Sequence, residues 1–445
     1  MVMPASPTHV ELSFADALRM AMSLHRDGRY DGAETLYRRL LTIEAEDANT
    51  RHFLGMALYQ RGRREDRDEA IRLMTASVQA DPTVAAWHNN LGNALLEGHE
   101  PEAAAIAYRR CIELDPDNVE AMNNLACLQR GLGHVAEAEA MFQNALAINP
   151  ELPSLHANYA TLLAAQRRIP EAQAHYLRSL ELQPVNPVVS KLLGVMYAQT
   201  GQLDKAREIF GEWLRKEPDN PHARHHYAAV TGQDVPDRAA DEYVVDVFDR
   251  FAASFDERLA MLEYQAPKLI GEALPALLGK PARALDILDA GAGTGLCGPW
   301  LQPYARRLVG VDLSGGMLEK AHRRGGYDAL EVAELVAYLQ VHPGEFDVVV
   351  SADTLCYFGR LEDALAASRR ALRGAGVLAF TVEALADDQV DHVLQPHGRY
   401  AHSRGYLARS LADNGFAGVS MTDVVLRKES GKPVSGLLVS ARLSD

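Results

Sequence analysis

The sequence predicts an α-helical solenoid followed by an α/β domain built on a mostly parallel, seven-stranded sheet, and three observations carry that prediction. Pro82, Pro116, Pro150, Pro184 and Pro218 recur at a constant 34-residue interval, the mark of a repeat array. The period vanishes beyond a turn-rich, charged stretch at 231–237. After it, short β-branched runs alternate with helical patterns, and the first run ends in three closely spaced glycines, Gly291, Gly293 and Gly295. A chain of 445 residues is too long for one ordinary core, so two or more domains are expected.

In phase with the prolines run Ala70, Ala104, Ala138, Ala172 and Ala206, and each is followed four places later by a bulky residue: Met74, Tyr108, Phe142, Tyr176 and Phe210. Upstream sit Leu54-Gly55, Leu91-Gly92, Leu125-Ala126 and Leu193-Gly194. A small residue lets two antiparallel helices approach, the bulky one fills the space beside it, and proline stops the second helix. This pattern resembles the tetratricopeptide repeat (TPR) over 14–232. An earlier unit reads Gly28, Ala33, Tyr37; its spacing of 37 residues from Ala33 to Ala70 implies a three-residue insertion in the turn near 63–67. About six repeats result, closed by a polar helix at 222–230 of the kind a solenoid needs at its end. The resemblance implies a groove that binds a protein or peptide, with Asn89, Asn90, Asn123, Asn124 and Asn158 as candidate backbone clamps. A spacer or a homo-oligomer surface is the alternative use.

A linker at 233–240 precedes the second domain, 241–445. Its β-branched runs are 284–289, 308–312, 346–351 and 377–382, with helical stretches between them such as 317–324 and 361–373. That alternation predicts a parallel sheet covered on both faces, and 418–426 with 434–443 reads as a closing hairpin. The first strand runs into Asp289-Ala-Gly291-Ala292-Gly293-Thr294-Gly295. Glycines at such a strand-to-helix turn let the backbone approach a ligand, and the helix start offers free N–H groups. Gly293, Gly295 and Gly298 also satisfy G-x-G-x-x-G, a weak dinucleotide match by itself.

Three features resemble class I S-adenosylmethionine-dependent methyltransferases, of the type 11/12-like kind, instead of nicotinamide enzymes. Asp289 ends the strand just before the glycines. The second strand ends in Asp312-Leu313-Ser314, followed by Met317, like the motif whose carboxylate accepts from both ribose hydroxyls. Phe346 to Asp353 resembles the fourth-strand motif. The resemblance implies a Rossmann-like catalytic domain binding S-adenosyl-L-methionine through Asp289, Gly291, Ala292, Gly293, Thr294, Gly295, Asp312, Leu313, Met317 and Asp353. It places an acid–apolar pair at the adenine. Glu334-Leu335 fits best, with Glu331 a competing choice and a plain helix-start acid the ordinary account. Residues 241–260 resemble a lid helix, with Phe251, Phe255 and Asp256 in its pattern. A helix packing the two domains together is the other use of that segment.

Methyl transfer from a sulfonium is an in-line displacement, so the protein mainly orients the acceptor and excludes water; a base is needed only where the acceptor must lose a proton. Candidates at the strand ends are Asp353, Tyr357 and Glu383, with a loop at 397–404 as substrate cover through Arg399, Tyr400 and His402. His402 is the favoured base, against a surface histidine or helix cap as the ordinary account. The rival to an enzyme is a TPR scaffold whose α/β domain binds the cofactor without turnover.

The formal charge is −15, and Asp/Glu exceed Lys/Arg by 32 to 24 before residue 241 and by 28 to 21 after it. Neither half carries the basic excess that phosphate binding needs, and amino-methylating or cytosine-C5 nucleic-acid signatures are missing, so a nucleic-acid partner is not expected. The methyl acceptor is a small molecule or a protein side chain. Cys111, Cys127, Cys297 and Cys356 stand in no metal or disulfide spacing. With no signal-peptide pattern and no apolar run near the roughly 20 residues of a membrane span, a cytoplasmic protein without membrane contact is expected.

Overall fold

A computed structural model describes residues 12–252, 255–429 and 431–444, and the chain divides into two compact units after Val189.

The first unit is helical. Its pairs are α1 (Phe14–Arg26) with α2 (Tyr30–Ile43), α3 (Ala48–Arg61) with α4 (Arg67–Ala80), α5 (Ala85–Glu97) with α6 (Pro101–Leu114), α7 (Val119–Gly131) with α8 (Val135–Ile148), and α9 (Pro153–Ala165) with α10 (Ile169–Leu182). Pro82, Pro116 and Pro150 each lie just past the end of a second helix. The insertion expected near 63–67 is a short 3-10 turn, Arg64–Asp66. The pairing of small and bulky residues is steric: a Cβ on Gly92 would stand 2.5 Å from the ring of Tyr108. The asparagines bond to one another between repeats. Asn124 Nδ2 donates to Asn89 Oδ1 at 3.2 Å, and Asn158 Nδ2 to Asn123 Oδ1 at 3.0 Å.

The second unit begins inside the array. It takes in most of α11 (Pro187–Gln199), then α12 (Leu203–Lys216) and α13 (Pro221–Thr231). The compact boundary therefore falls earlier in the chain than the 233–240 linker. The physical reason is α13: His225 Nε2 lies 2.8 Å from Gly398 O, and its ring is 4.1 Å from that of Tyr243. The lid segment forms two helices, α14 (Asp241–Phe251) and α15 (Phe255–Met261), where one was expected, and α16 (Ala266–Leu278) follows.

Among the described residues the sheet has nine strands: β1 (Leu285–Ala290), β2 (Ala305–Asp312), β3 (Ala329–Val332), β4 (Phe346–Ser351), β5 (Leu372–Ala384), β6 (His392–Leu394), β7 (Tyr400–His402), β8 (Phe416–Glu429) and β9 (Lys432–Leu443). The path β3-β2-β1-β4-β5 is parallel, and β9 joins β5 antiparallel with β8 outside it. That seven-strand path is the expected core, mixed in direction because the closing hairpin turns back. Strands β6 and β7 are an addition, β7 pairing with the end of β5. Part of the loop expected at 397–404 is thus strand. Helices α17 (Gly298–Leu301), α18 (Gly315–Arg324), α19 (Leu335–Val341), α20 (Glu362–Ala371) and α21 (Arg404–Asp413) complete the unit. The parallel strands are buried on both faces. Leu288, Val309 and Val349 belong to one core cluster, Ile287, Leu308 and Val348 to another with Ile270 and Leu274 of α16.

Candidate functional site

A cavity opens at the carboxyl ends of β1, β2 and β4, where ligands bind in such sheets. Its floor is the turn after β1. Gly291 and Gly293 have φ of +84° and +54°, a region that side-chain-bearing residues avoid. A Cβ on Gly291 would meet Thr354 Oγ1 at 2.0 Å, so that glycine packs the turn against the β4 end. A Cβ on Gly293 would meet nothing within 4 Å, because this glycine faces the open cavity. Ala292 and Thr294 line the cavity too.

Asp312 and Leu313, at the end of β2, form the next wall. The carboxylate accepts from Gly293 N and from Ser314 N, each at 2.9 Å, which fixes the glycine turn beside it. Burial raises the pKa of Asp312. Ser314 caps α18 by accepting from Met317 N at 3.1 Å, and its hydroxyl bonds Asp249 of α14. Glu334 and Leu335 line the far wall. Glu334 caps α19, its Oε2 accepting from Ala337 N at 2.8 Å, while its buried Oε1 has no hydrogen-bond partner. The cap occupies one oxygen of this acid and leaves the other in the cavity wall. Glu331 lies on an exposed stretch of β3.

The lid forms the roof. Phe248 and Phe255 meet edge to face at 5.8 Å, and Phe248 meets Tyr357 the same way at 5.6 Å; all three line the cavity. Asp256 does not line it but ties the roof down, accepting from Thr294 Oγ1 and from Arg324 Nη2, each at 2.6 Å. The side chain of Phe251 lies outside the described residues.

Beyond Asp353 the cavity ends in a knot of charge. Arg427 of β8 is 1% exposed. It bonds Glu383, reaches Asp353 at 3.3 Å, and donates to Glu429 Oε1 at 2.8 Å. Arg399 Nη1 donates to Glu429 Oε1 at 3.0 Å, and His397 Nε2 lies 3.2 Å from Glu383 Oε2. Burial alone would raise the pKa of Glu383, but His397, Arg427 and Arg399 outweigh it and bring it to about 2. Asp353 is raised by burial against the pull of Arg427 and Arg399, and its φ of +56° is unusual for a residue with a side chain. Burial pushes Tyr357 up to about 12, so it stands as a hydrogen-bond donor.

Several expected residues stand apart from the cavity lining. Asp289 is buried behind the glycine turn, where its Oδ2 accepts from Tyr327 at 2.6 Å; burial raises its pKa to about 7. Gly295 and Met317 pack inward, Met317 with no exposed surface. Tyr400 donates to Pro236 O at 2.6 Å. His402 is 0% exposed, its Nε2 3.1 Å from Gly359 O, and burial lowers its pKa to about 4. It is neither a surface histidine nor the cap of α21, which is Ser403. Arg427 escaped the sequence reading. The signal for it was one cation behind the apolar run Val424-Val425-Leu426.

The chain matches a methyltransferase-domain model over 288–380 and four tetratricopeptide-repeat models over 18–51, 54–119, 107–140 and 129–195. It is 36% identical over 137 residues to human methyltransferase-like protein 27, covering 30% of this chain and 54% of that one. It is 28% identical over 179 residues to a malonyl-[acyl-carrier protein] O-methyltransferase of Enterobacter lignolyticus, covering 40% and 68%. The chain thus spans about half the length of the human relative. A solved S-adenosylmethionine-dependent methyltransferase from Mesorhizobium loti matches with a TM-score of 0.32 at 24% identity, over 38% of this chain and 96% of that one. The residues of the cavity fit S-adenosylmethionine: an open glycine turn, a carboxylate at a strand end, and a buried acceptor, Glu334 Oε1, that accepts no hydrogen bond, its nearest cation being Arg238 Nη1 at 3.7 Å. The methyltransferase-domain match falls on the strands that build the cavity and the repeat matches fall on the helical pairs, so the chain carries a methyltransferase domain behind tetratricopeptide repeats.

Proposed function

We propose that the chain methylates a nucleophilic atom at the end of a slender acceptor, either a free small molecule or a group on a protein's flexible arm. The observation that carries this reading is the roofed chamber between Phe248, Phe255 and Tyr357 and the buried Asp353–Arg427 knot. Such a chamber admits a narrow group and excludes a folded surface. Bound S-adenosylmethionine supplies an electrophilic methyl group and a neutral leaving group. Gly293, Asp312 and Glu334 hold the nucleoside side of the cofactor, with Asp312 accepting from hydroxyls and Glu334 from an amino group. The aromatic roof excludes water. Tyr357 donates to the acceptor and orients it, and Asp353 takes a proton where the acceptor must lose one. The malonyl-carrier relatives methylate an oxygen, as their name says. A carboxylate acceptor of that kind needs no base, in keeping with the distance of His402 from the lining.

The TPR array recruits a protein partner in this reading. Asn89, Asn123, Asn124 and Asn158 bond one another between repeats, so backbone clamping by these side chains would require exchange of those bonds. The test is a labelled-methyl assay on fractionated lysate. Label in small molecules or on a carrier arm is the expected result. Label in nucleic acid, or at side chains across folded protein surfaces, would overturn the reading.

A further inference from the structure

A second cavity adjoins the first, and Tyr357 and Arg399 line both. One wall comes from the end of the array and the lid, with Lys191, Val195 and Gln199 of α11, His226 of α13, Tyr243 and Val247 of α14, and the other from the catalytic domain's His397 and Glu429. Every lining residue lies in the second compact unit. Helices that began as a repeat thus border the route to the chamber.

The charges along this wall are spent unevenly. Glu429 is paired with Arg399 and Arg427, and His397 with Glu383. Lys191 has no hydrogen bond or ion pair among the described residues, although burial holds its ammonium below its ordinary pKa. The carboxylate that acts on it, Asp246, is engaged elsewhere: His222 Nε2 lies 2.6 Å from one oxygen, and Arg250 Nε donates to the other at 2.7 Å. His226 is 2% exposed, stacks on Phe210 at 5.1 Å and lines the cavity, yet neither ring nitrogen has a hydrogen-bond partner. A half-buried cation beside an unpartnered buried imidazole is costly unless a ligand completes it.

We propose that this second cavity is the acceptor's entry arm, and that Lys191 and His226 bind an anionic group, phosphate or carboxylate, carried by the acceptor away from its methylated atom. An anion there gives Lys191 its counter-charge and takes a hydrogen bond from the N–H of His226. The acceptor's other end then reaches the chamber past Tyr357 and Arg399. The last repeats are therefore part of the acceptor site. The inference rests on the methyl-transfer reading above, but its binding half is read without turnover.

The test titrates inorganic phosphate, and in a separate arm acetate, into the full chain saturated with S-adenosylhomocysteine, while the ring resonances of His226 are followed by NMR. A saturable shift in one arm is expected and identifies the anion. Lys191→Met should weaken it about tenfold, the usual worth of a charge-assisted hydrogen bond, Lys191→Arg should retain it, and His226→Phe should weaken phosphate or acetate protection of the fold. S-adenosylhomocysteine affinity should be unchanged in all three, which separates this site from the cofactor cavity and from misfolding. In the labelled-methyl assay the product should be retained on an anion exchanger, and Lys191→Met should raise KM more than it lowers kcat. A His226 signal indifferent to both anions, or shifting alike in wild type and Lys191→Met, would overturn the proposal. Absence of any methyl transfer beside an intact anion site would instead overturn the methyl-transfer reading.

Discussion

Asp289 belongs to the glycine-turn motif yet lies outside the cavity lining. It has no exposed surface, its Oδ1 lacks a hydrogen-bond partner, and its pKa of about 7 reflects burial, moderated by Tyr327. The folded chain therefore holds this proton to a higher pH than the unfolded chain does. The site's contribution to stability is full below the ordinary carboxylate value of 3.8 and is lost as the pH rises through about 7. Relative to wild type, Asp289→Asn should gain stability of order a few kcal/mol between about pH 4 and pH 8, read as urea midpoints across that range. Its S-adenosylhomocysteine affinity should stay within a few-fold. A pH profile parallel to wild type would show that Asp289 does not titrate there, and a large affinity loss would place it at the ligand. His402 is the opposite case. A histidine in a polar, aromatic stretch suggested chemistry, yet the short β6–β7 hairpin turns it inward to Gly359 O.

The lid acts through its attachment. Asp256 joins α15 to the glycine turn through Thr294 and to α18 through Arg324, and Ser314 joins α14 to the cap of α18. Asp256→Ala should leave the fold intact and speed S-adenosylhomocysteine dissociation several-fold, since partly exposed charge pairs are worth up to about 1 kcal/mol. Stopped-flow displacement measures this, and an unchanged rate would mean that the roof is held by its aromatic packing alone. The elements that carry these groups were unevenly legible in the sequence. Strand β1 and its turn were readable because buried parallel strands are continuous apolar runs and the turn needs glycine. The repeats were readable because proline and a small–bulky pair return every 34 residues. Strands β6 and β7 were not, since each is three residues long and carries no periodicity to detect. Arg427 was hidden for a related reason: its partners Asp353 and Glu383 come from two distant segments, which only the fold brings to it.

At the scale of the whole molecule, a composition break and a packing break differ. The repeat period ends near 231, but α13 packs His225 against Tyr243 and Gly398, so the compact unit starts within α11. A fragment from Pro184 onward should fold and bind S-adenosylhomocysteine like the full chain. One from Arg238 should lose stability, because it strips the cover from Tyr243, which is 4% exposed in the full chain. Thermal unfolding of the two fragments checks this, and equal midpoints would contradict it. Among the described residues no helix is long and apolar enough to cross a membrane. The central claim is that the cavity over Gly293 and Asp312 holds S-adenosylmethionine. Calorimetric titration of the full chain with S-adenosylhomocysteine and with NADH tests it most directly. The account predicts saturable heat with S-adenosylhomocysteine, weakened in Asp312→Ala by about 1.5–3 kcal/mol, and none with NADH; heat with NADH and none with S-adenosylhomocysteine would contradict it.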